Sequence, residues 1–256
     1  YSRDNIENRI DGACARYLNA KKRSRSVPAA IFLNGNSALS IKDGGAMMDE
    51  KSTSIISALF GNGPNDEERI GKLPYKLYGK FKDGFDVVSC QFSLHYFFKD
   101  ESTLHGFIKN VSDTCKLGGH FIGTCYDGKR VFRLLQDKNK GDTVCKYVYN
   151  KKICEIIKDY NRDEFNNDSS CLGYGINVYQ ESINEYYKEY LVNFDYLEMV
   201  LEKYGFIKLT TDELKEFGYA SSVTPFQQEF ANITDLVERN SSLNKNYGNT
   251  LKLNDD

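Results

Sequence analysis

Phe85-Asp86-Val87-Val88-Ser89-Cys90-Gln91, followed at once by Phe92-Ser93-Leu94-His95-Tyr96, decides how this 256-residue chain is read. The first seven residues are nearly continuously apolar, which predicts a strand at the centre of a parallel sheet. The next five place an amide, an imidazole and a phenol beyond that strand's carboxyl end, where open α/β sheets bind ligands. Downstream, Asp100 reads as the cap of a helix whose inner face is Leu104, Phe107, Ile108, Val111 and Cys115, ended by Gly118-Gly119. Residues 120–125 read as a second strand and 127–136 as a short helix. Upstream, Ala30-Ile31-Phe32-Leu33 reads as a short buried strand running into Asn34-Gly35-Asn36-Ser37, and Ser52 as the cap of a helix stopped by Gly61-Asn62-Gly63-Pro64. The chain opens on a helix capped at Ser2, with Ile6, Ile10, Ala13, Cys14, Tyr17 and Leu18 at helical spacing.

From residue 144 the pattern changes. Residues 144–150, 153–160 and 176–182 read as strands joined by turns, then 196–204 as a helix closed by Gly205 and 206–209 as a strand. After about 240, Asn and Ser predominate, which reads as loop or tail. Alternating strand and helix through residue 136 predicts a doubly wound α/β sheet, and it gathers residues 34–37, 91–96 and 124–127 around one cleft.

Composition limits what such a chain does. Lys+Arg number 34 against 36 Asp+Glu, a formal charge of -2, which excludes a generally basic nucleic-acid coat but not a local basic groove. Aromatics are plentiful (18 Tyr, 16 Phe, no Trp), enough for a sizeable core. No apolar run is long enough to span a bilayer, so no membrane partner is expected. The seven cysteines, Cys14, Cys90, Cys115, Cys125, Cys145, Cys154 and Cys171, include no C-x-x-C pair; reduced thiols and no metal are expected. The first residue is Tyr and the last Asp, and the expectation is a piece of a longer polypeptide.

The stretch from Phe85 to Tyr96 resembles the FD-x-x-S-x-QF-x-x-HY signature of messenger-RNA cap guanine-N7 methyltransferases. Leu117-Gly118-Gly119-His120-Phe121-Ile122-Gly123-Thr124 is similar to that family's L-x-x-GG-x-F-I-G-T strand. Arg16-Tyr17 with Lys21-Lys22-Arg23 resembles its RY-x-x-x-K-x-R segment, and Glu189-Tyr190-Leu191-Val192-Asn193-Phe194 its E-[FY]-[LF]-V-x-F segment. The wording is closest to the capping enzymes of large DNA viruses.

The resemblance implies an α/β, class I S-adenosylmethionine-dependent (Rossmann-like) fold with helices on both faces and a β-rich cap-binding insertion. It divides the chain into a cofactor-binding core over 1–140, cut at its N-terminus, the insertion over 141–194, and the end of the domain with a tail over 195–256. It implies that Asn36, Ser37, Gln91 and Tyr96 contact S-adenosylmethionine, and that His95, Tyr96 and Glu189 hold the cap guanine. No general acid or base is expected, since guanine N7 carries a free lone pair and the sulfonium is a strong leaving group; positioning would carry the rate. The substrate implied is the capped 5′ end of RNA, with guanylyltransferase and triphosphatase domains fused or associated. The compartment implied is reducing and intracellular: host cytoplasm, virus factory or virion for a virus, nucleus for a cell.

Three departures stand out. The family's glycine-rich cofactor loop would precede Tyr1; its usual Asp is Asn36 here; and the aromatic that stacks on the guanine corresponds to Val178. Asn36 and Val178 motivate an alternative, a non-catalytic cap-binding or scaffolding module, beside a second alternative of a class I methyltransferase with another substrate. For single residues the plainer readings are also open. His95 would then be a satisfied core histidine, Glu189 an exposed charge, and Lys21, Lys22, Arg23, Arg25, Lys129 and Arg130 solvated rather than phosphate-binding.

Overall fold

The computed structural model describes residues 12–240 and Leu243. The chain divides into two compact units, one running to Cys145 and from Cys154 to Phe206, the other made of Lys146–Ile153 and the chain from Ile207 onward.

In the first unit, Phe85–Gln91 forms strand β1 and pairs in parallel with β2, Cys115–Thr124, so that Val87 faces His120 and Gln91 faces Thr124 across the ladder. Between them runs a helix, Glu101–Thr114, whose N-terminus is capped by Asp100 through Thr103 N (2.8 Å) and Thr103 Oγ1 (2.7 Å). The strand β2 starts directly at Cys115, so Gly118-Gly119 lies inside it rather than ending the helix. Gly118 takes φ +74°, and the ladder loses register between Phe85 and Val87. Two glycines are tolerated there as an irregularity, since backbone hydrogen bonding to β1 is resumed at His120.

The apolar run of β1 predicts burial on both faces, yet Val87 is half exposed and β1 has β2 as its one strand neighbour among the described residues. Ala30-Ile31-Phe32-Leu33 forms no regular element and joins no strand among the described residues; Ile31 and Leu33 instead pack on the cluster of Ile55, Leu59 and Ile70. The helix of that cluster is Glu50–Leu59, and its cap is Asp49, which accepts from Ser52 N at 2.8 Å, not Ser52 itself. The opening helix is seen over Ala13–Arg23; its expected start at Ser2 lies outside the described residues.

A second, antiparallel sheet has the order β3 (Thr143–Val148), β4 (Lys151–Asp159), β5 (Gly175–Gln180), β6 (Glu185–Tyr190). The last of these, Glu185-Tyr186-Tyr187-Lys188-Glu189-Tyr190, is too polar to read as a strand from sequence. Alternation puts Ile176 and Val178 of β5 on one face, where they join Val131, Leu135 and Tyr160 in a buried cluster under the helix Gly128–Leu134. Lys158 is buried on that face and donates to the carbonyls of Leu135 (3.2 Å) and Lys138 (2.7 Å), closing the end of this helix.

Chain returns from β6 by Leu191-Val192 into the helix Phe194–Lys203, capped by Asn193 through Tyr196 N (3.1 Å). Its Leu197 and Val200 close the first core with Cys90, Phe98, Leu104 and Ile108. Residues 206–209, expected as a strand, are irregular after Gly205 (φ +88°). Gly128 meets the Leu191-Val192 return closely: its N–H donates to Val192 O at 3.0 Å, and a Cβ there would lie 2.3 Å from that oxygen.

The second unit contains the tip of the β3–β4 hairpin, which turns through Tyr149 and Asn150 at positive φ, and two helices, Thr211–Glu216 with a Thr210/Glu213 capping box and Phe226–Arg239. No described helix is long and apolar enough to cross a membrane.

Candidate functional site

At the carboxyl ends of β1 and β2 the side chains lock one another. Thr124 Oγ1 donates to Gln91 Oε1 (2.8 Å), and Gln91 Nε2 donates to Ser89 Oγ (3.0 Å), which fixes the orientation of the amide. Phe92 N–H is shared between Thr124 O (2.9 Å) and Thr124 Oγ1 (3.1 Å). Phe92 itself sits at φ +50°, a conformation an aromatic residue adopts only when its surroundings hold it. That bend throws the chain into a 3-10 turn, Leu94–Lys99, which buries Leu94, His95 and Phe98 and leaves Tyr96 partly exposed.

His95 and Glu189 are 4% and 7% exposed, and His95 Nε2 stands 3.6 Å from Glu189 Oε1. That is too long for a hydrogen bond. Both imidazole nitrogens and Glu189 Oε2 are buried without any partner among the described residues. His95 is therefore no satisfied core histidine and Glu189 no exposed charge. Burial pulls the imidazole down to about 4 and pushes the carboxyl up to about 7, so at neutral pH the pair is not an ion pair. The reason for the burial lies in strand parity. Glu189 and Tyr187 of β6 pair with Ile176 and Val178 of β5, so the carboxylate rides on the sheet face that carries the apolar core. A buried set of unsatisfied donors and acceptors costs stability unless a ligand satisfies it, which makes this pair the candidate site.

Aromatic rings surround this pair. The Tyr96 ring meets the His95 ring edge-on, centroids 4.3 Å apart. Burial, then the neighbouring Glu189 and Tyr187 charges, raise the Tyr96 phenol. Burial, then Glu189 and Cys154, raise the Tyr126 phenol, whose oxygen accepts from Gln180 Nε2.

Asn36 and Ser37 lie on a separate loop and make no hydrogen bond to Gln91 or Tyr96. Asn36 Oδ1 accepts from Ala38 N at 3.0 Å. Asn110, buried in the Glu101–Thr114 helix, holds this loop: its Nδ2 donates to Ser37 O (2.7 Å) and Leu39 O (2.5 Å), and its Oδ1 accepts from Ile41 N (2.8 Å). Gly106 allows the approach, because a Cβ there would meet Ala38 O at 2.1 Å. Of the basic residues, Lys129 is ion-paired with Asp195 (2.5 Å) and Lys21 lies over the Tyr17 ring at 5.4 Å from its centroid. Val178 is buried in the cluster with Val131, Leu135 and Ile176.

A family model described as the mRNA (guanine-N(7))-methyltransferase domain matches residues 46–247. The chain belongs to this family. It is similar to a protein of Acanthamoeba polyphaga mimivirus named "Probable mRNA-capping enzyme", 27% identical over 209 residues, 80% of this chain and 16% of the relative. Proteins named mRNA cap guanine-N(7) methyltransferase match more locally. That of Caenorhabditis briggsae is 43% identical over 75 residues (28% of this chain, 20% of the relative). That of Saccharomyces cerevisiae is 30% identical over 122 residues (47% and 28%). The chain thus spans 16% to 28% of the length of these relatives.

The α/β architecture, a parallel ladder with a separate antiparallel sheet, is that of a class I methyltransferase-type domain in this guanine-N7 family. A methyltransferase family implies S-adenosylmethionine in general. The donor set fits such a ligand: an oriented Gln91 amide at the strand ends and, nearby in sequence, a Tyr96 hydroxyl with no hydrogen-bond partner among the described residues.

Sequence reasoning did not single out Tyr126, Gln180, Tyr187 or Asn110. Tyr126 falls in the stretch 124–127 assigned to the cleft, and Gln180 shares strand parity with Val178, so both carried a signal. Asn110 carried none, being a polar residue on a helix face otherwise read by its apolar members.

Proposed function

We propose that this domain transfers the methyl group of S-adenosylmethionine to N7 of the guanine in the GpppN cap of RNA. The observation that carries this reading is the buried, unpartnered polar set of His95 and Glu189 beside Tyr96. Guanine presents donors at N1 and N2 and an acceptor at O6 along one edge. Glu189 accepts from the donors, and such donors favour its ionised form against the burial that raises its pKa. His95, neutral at physiological pH, keeps one N–H to donate toward O6, and Tyr96 has a hydroxyl for the same edge.

Asn36, Ser37, Gln91 and Tyr96 are proposed to hold the cofactor, which supplies an electrophilic methyl on a sulfonium. N7 attacks with its own lone pair, and no proton has to move in that displacement. The residues of this chain therefore act by holding the purine in line and by excluding water, and positioning supplies the acceleration. Asn36 offers the adenine amino group a second lone pair of an oxygen already engaged by Ala38. The partners that follow are a capped RNA 5′ end and the triphosphatase and guanylyltransferase activities that make it, in a reducing intracellular compartment.

The test is transfer of labelled methyl from S-adenosylmethionine to GpppA-ended RNA by the full-length protein, beside Glu189→Ala. Label confined to guanine N7 and lost in the variant is expected. Cap binding without turnover would favour a scaffolding module; cofactor binding without any transfer to the cap would send the search to another substrate.

A further inference from the structure

Glu189 has neighbours from two directions on its sheet face. The Leu94–Lys99 turn packs on β6, the edge strand, and brings His95 to Glu189 with the Tyr96 ring against it. Inward from that edge the same face carries Ile176, Val178 and Gln180 of β5 and Cys154 of β4, with Tyr126 packed on the cluster of Ile176 and Val178. The carboxylate therefore has the His95/Tyr96 turn against its own strand and Tyr126 with the β5 and β4 side chains across the face from it. Across the ladder from Cys154 is Gln180, on the same face of β5 as Val178 and Ile176, and its Nε2 donates to the Tyr126 hydroxyl.

This hydrogen bond leaves a complementary pair of functions unused. The Tyr126 phenol still has its own O–H to donate, and Gln180 Oε1 has no partner among the described residues. The Tyr126 ring packs on the cluster that contains Val178 and Leu191, which fixes its place.

The order of polar atoms around guanosine is O6, N1–H, N2–H, N3 and then the ribose 2′-hydroxyl. With O6 toward His95 and N1 and N2 on Glu189, the next atoms along the edge fall on the far side of the carboxylate from His95. N3 is an acceptor, and the 2′-hydroxyl is both donor and acceptor. One O–H and one carbonyl oxygen held side by side match that pattern. We infer that Tyr126 and Gln180 read the sugar edge of the guanosine, N3 and the 2′-hydroxyl, as specificity-determining residues. The inference rests on the cap-guanine reading of His95 and Glu189.

The experiment compares KM and kcat for GpppA with those for its counterpart carrying 2′-deoxyguanosine at the cap, in the full-length protein and in Tyr126→Phe and Gln180→Met. The wild type should lose about fivefold to tenfold in KM for the deoxy substrate at unchanged kcat, the effect of one neutral hydrogen bond. Gln180→Met should raise KM for GpppA by a similar factor and show no further loss on the deoxy substrate, whereas Tyr126→Phe, which loses the donor to N3, should raise KM for both substrates alike. Gln180→Met keeps the side-chain volume, so the comparison survives if Tyr126→Phe folds poorly. A wild type indifferent to the 2′-hydroxyl, a Gln180→Met variant that still discriminates fully, or a Tyr126→Phe variant with unchanged KM for both substrates would overturn the inference. A wild type that neither binds nor methylates GpppA would instead overturn the cap reading beneath it.

Discussion

His95 Nε2 and Glu189 Oε1 face each other at 3.6 Å in a buried space, and neither group is held in its charged form by the other. Each has been driven toward neutrality by loss of water: the imidazole to about 4, the carboxyl to about 7. A site in this state is poised for a ligand that brings its own donors to the carboxylate.

Glu189→Gln replaces an acceptor-only group by one that presents an N–H to guanine N1 or N2. Loss of a charge-assisted hydrogen bond is worth roughly 1.5–3 kcal/mol, so the Gln variant should raise the cap KM by about ten- to a hundredfold with the cofactor KM unchanged. Cap affinity of the wild type should also weaken as pH falls below 7, where Glu189 carries a proton, while Glu189→Gln shows no such dependence. Titrations of GpppA binding between pH 6 and 8 read both effects; a Gln variant that keeps the wild-type slope would assign it to another group.

Stability of the ligand-free protein should follow the same two groups with opposite signs. Glu189 has a folded pKa raised from 4.5 to about 7, so its contribution is full below 4.5 and is lost as pH rises through 7. His95 has a folded pKa lowered from 6.5 to about 4, so its contribution is full above 6.5 and is lost as pH falls through 4. The two slopes oppose each other between 4.5 and 6.5, and the Glu189 term alone lowers stability from 6.5 to about 7, above which it is spent. Urea midpoints at pH 5, 6, 7 and 8 should be level to pH 6, drop towards pH 7 and then level off, while in Glu189→Gln the drop should vanish and the midpoint should rise between pH 5 and 6.5.

Asn110→Ala strips two carbonyls and one N–H of the 37–41 loop of their partner at once. A cost of roughly 3 kcal/mol in unfolding free energy is expected, with weaker S-adenosylmethionine binding if Asn36 and Ser37 hold it. Calorimetric titration and denaturant unfolding separate the two; unchanged cofactor affinity in a destabilised variant would remove that loop from the cofactor site.

Asn36→Asp keeps an oxygen for the Ala38 N–H, so the turn should survive without loss of stability. The added negative charge strengthens acceptance from an adenine amino group. Tighter binding of S-adenosylmethionine, by a few-fold, is the expected result in the same titration, and equal or weaker binding would place the adenine elsewhere.

What the sequence disclosed follows from where local chemistry and tertiary role coincide. Strand β1 was legible to the residue because its apolar run is bounded by Gly84 and by a polar turn, and Asp100 was legible as a cap because capping is local. The residues at 30–33 and 206–209 have strand-like composition, but a strand exists only where a neighbour supplies the ladder, and among the described residues none does. Strand β6 failed the opposite test. Its tyrosines and charges look like surface, yet pairing with β5 turns Glu189 inward. His95 and Glu189 were named from a resemblance, but the fact that gives them meaning, burial without partners, needs the fold. Tyr126 and Gln180 are 54 residues apart and meet only because β2 ends where β5 passes.

Gly128 has no room for a side chain, with Val192 O 2.3 Å from where its Cβ would be. Two residues before it is Tyr126, and three before Val192 is Glu189, so the glycine is the rivet that joins the chain after Tyr126 to the chain after Glu189. The spacing of Tyr126 and Glu189 is thus gauged by a contact that neither side chain makes. A methyl group at 128 would spread Tyr126 from Glu189 and change what fits between them without altering a single polar atom that reads it.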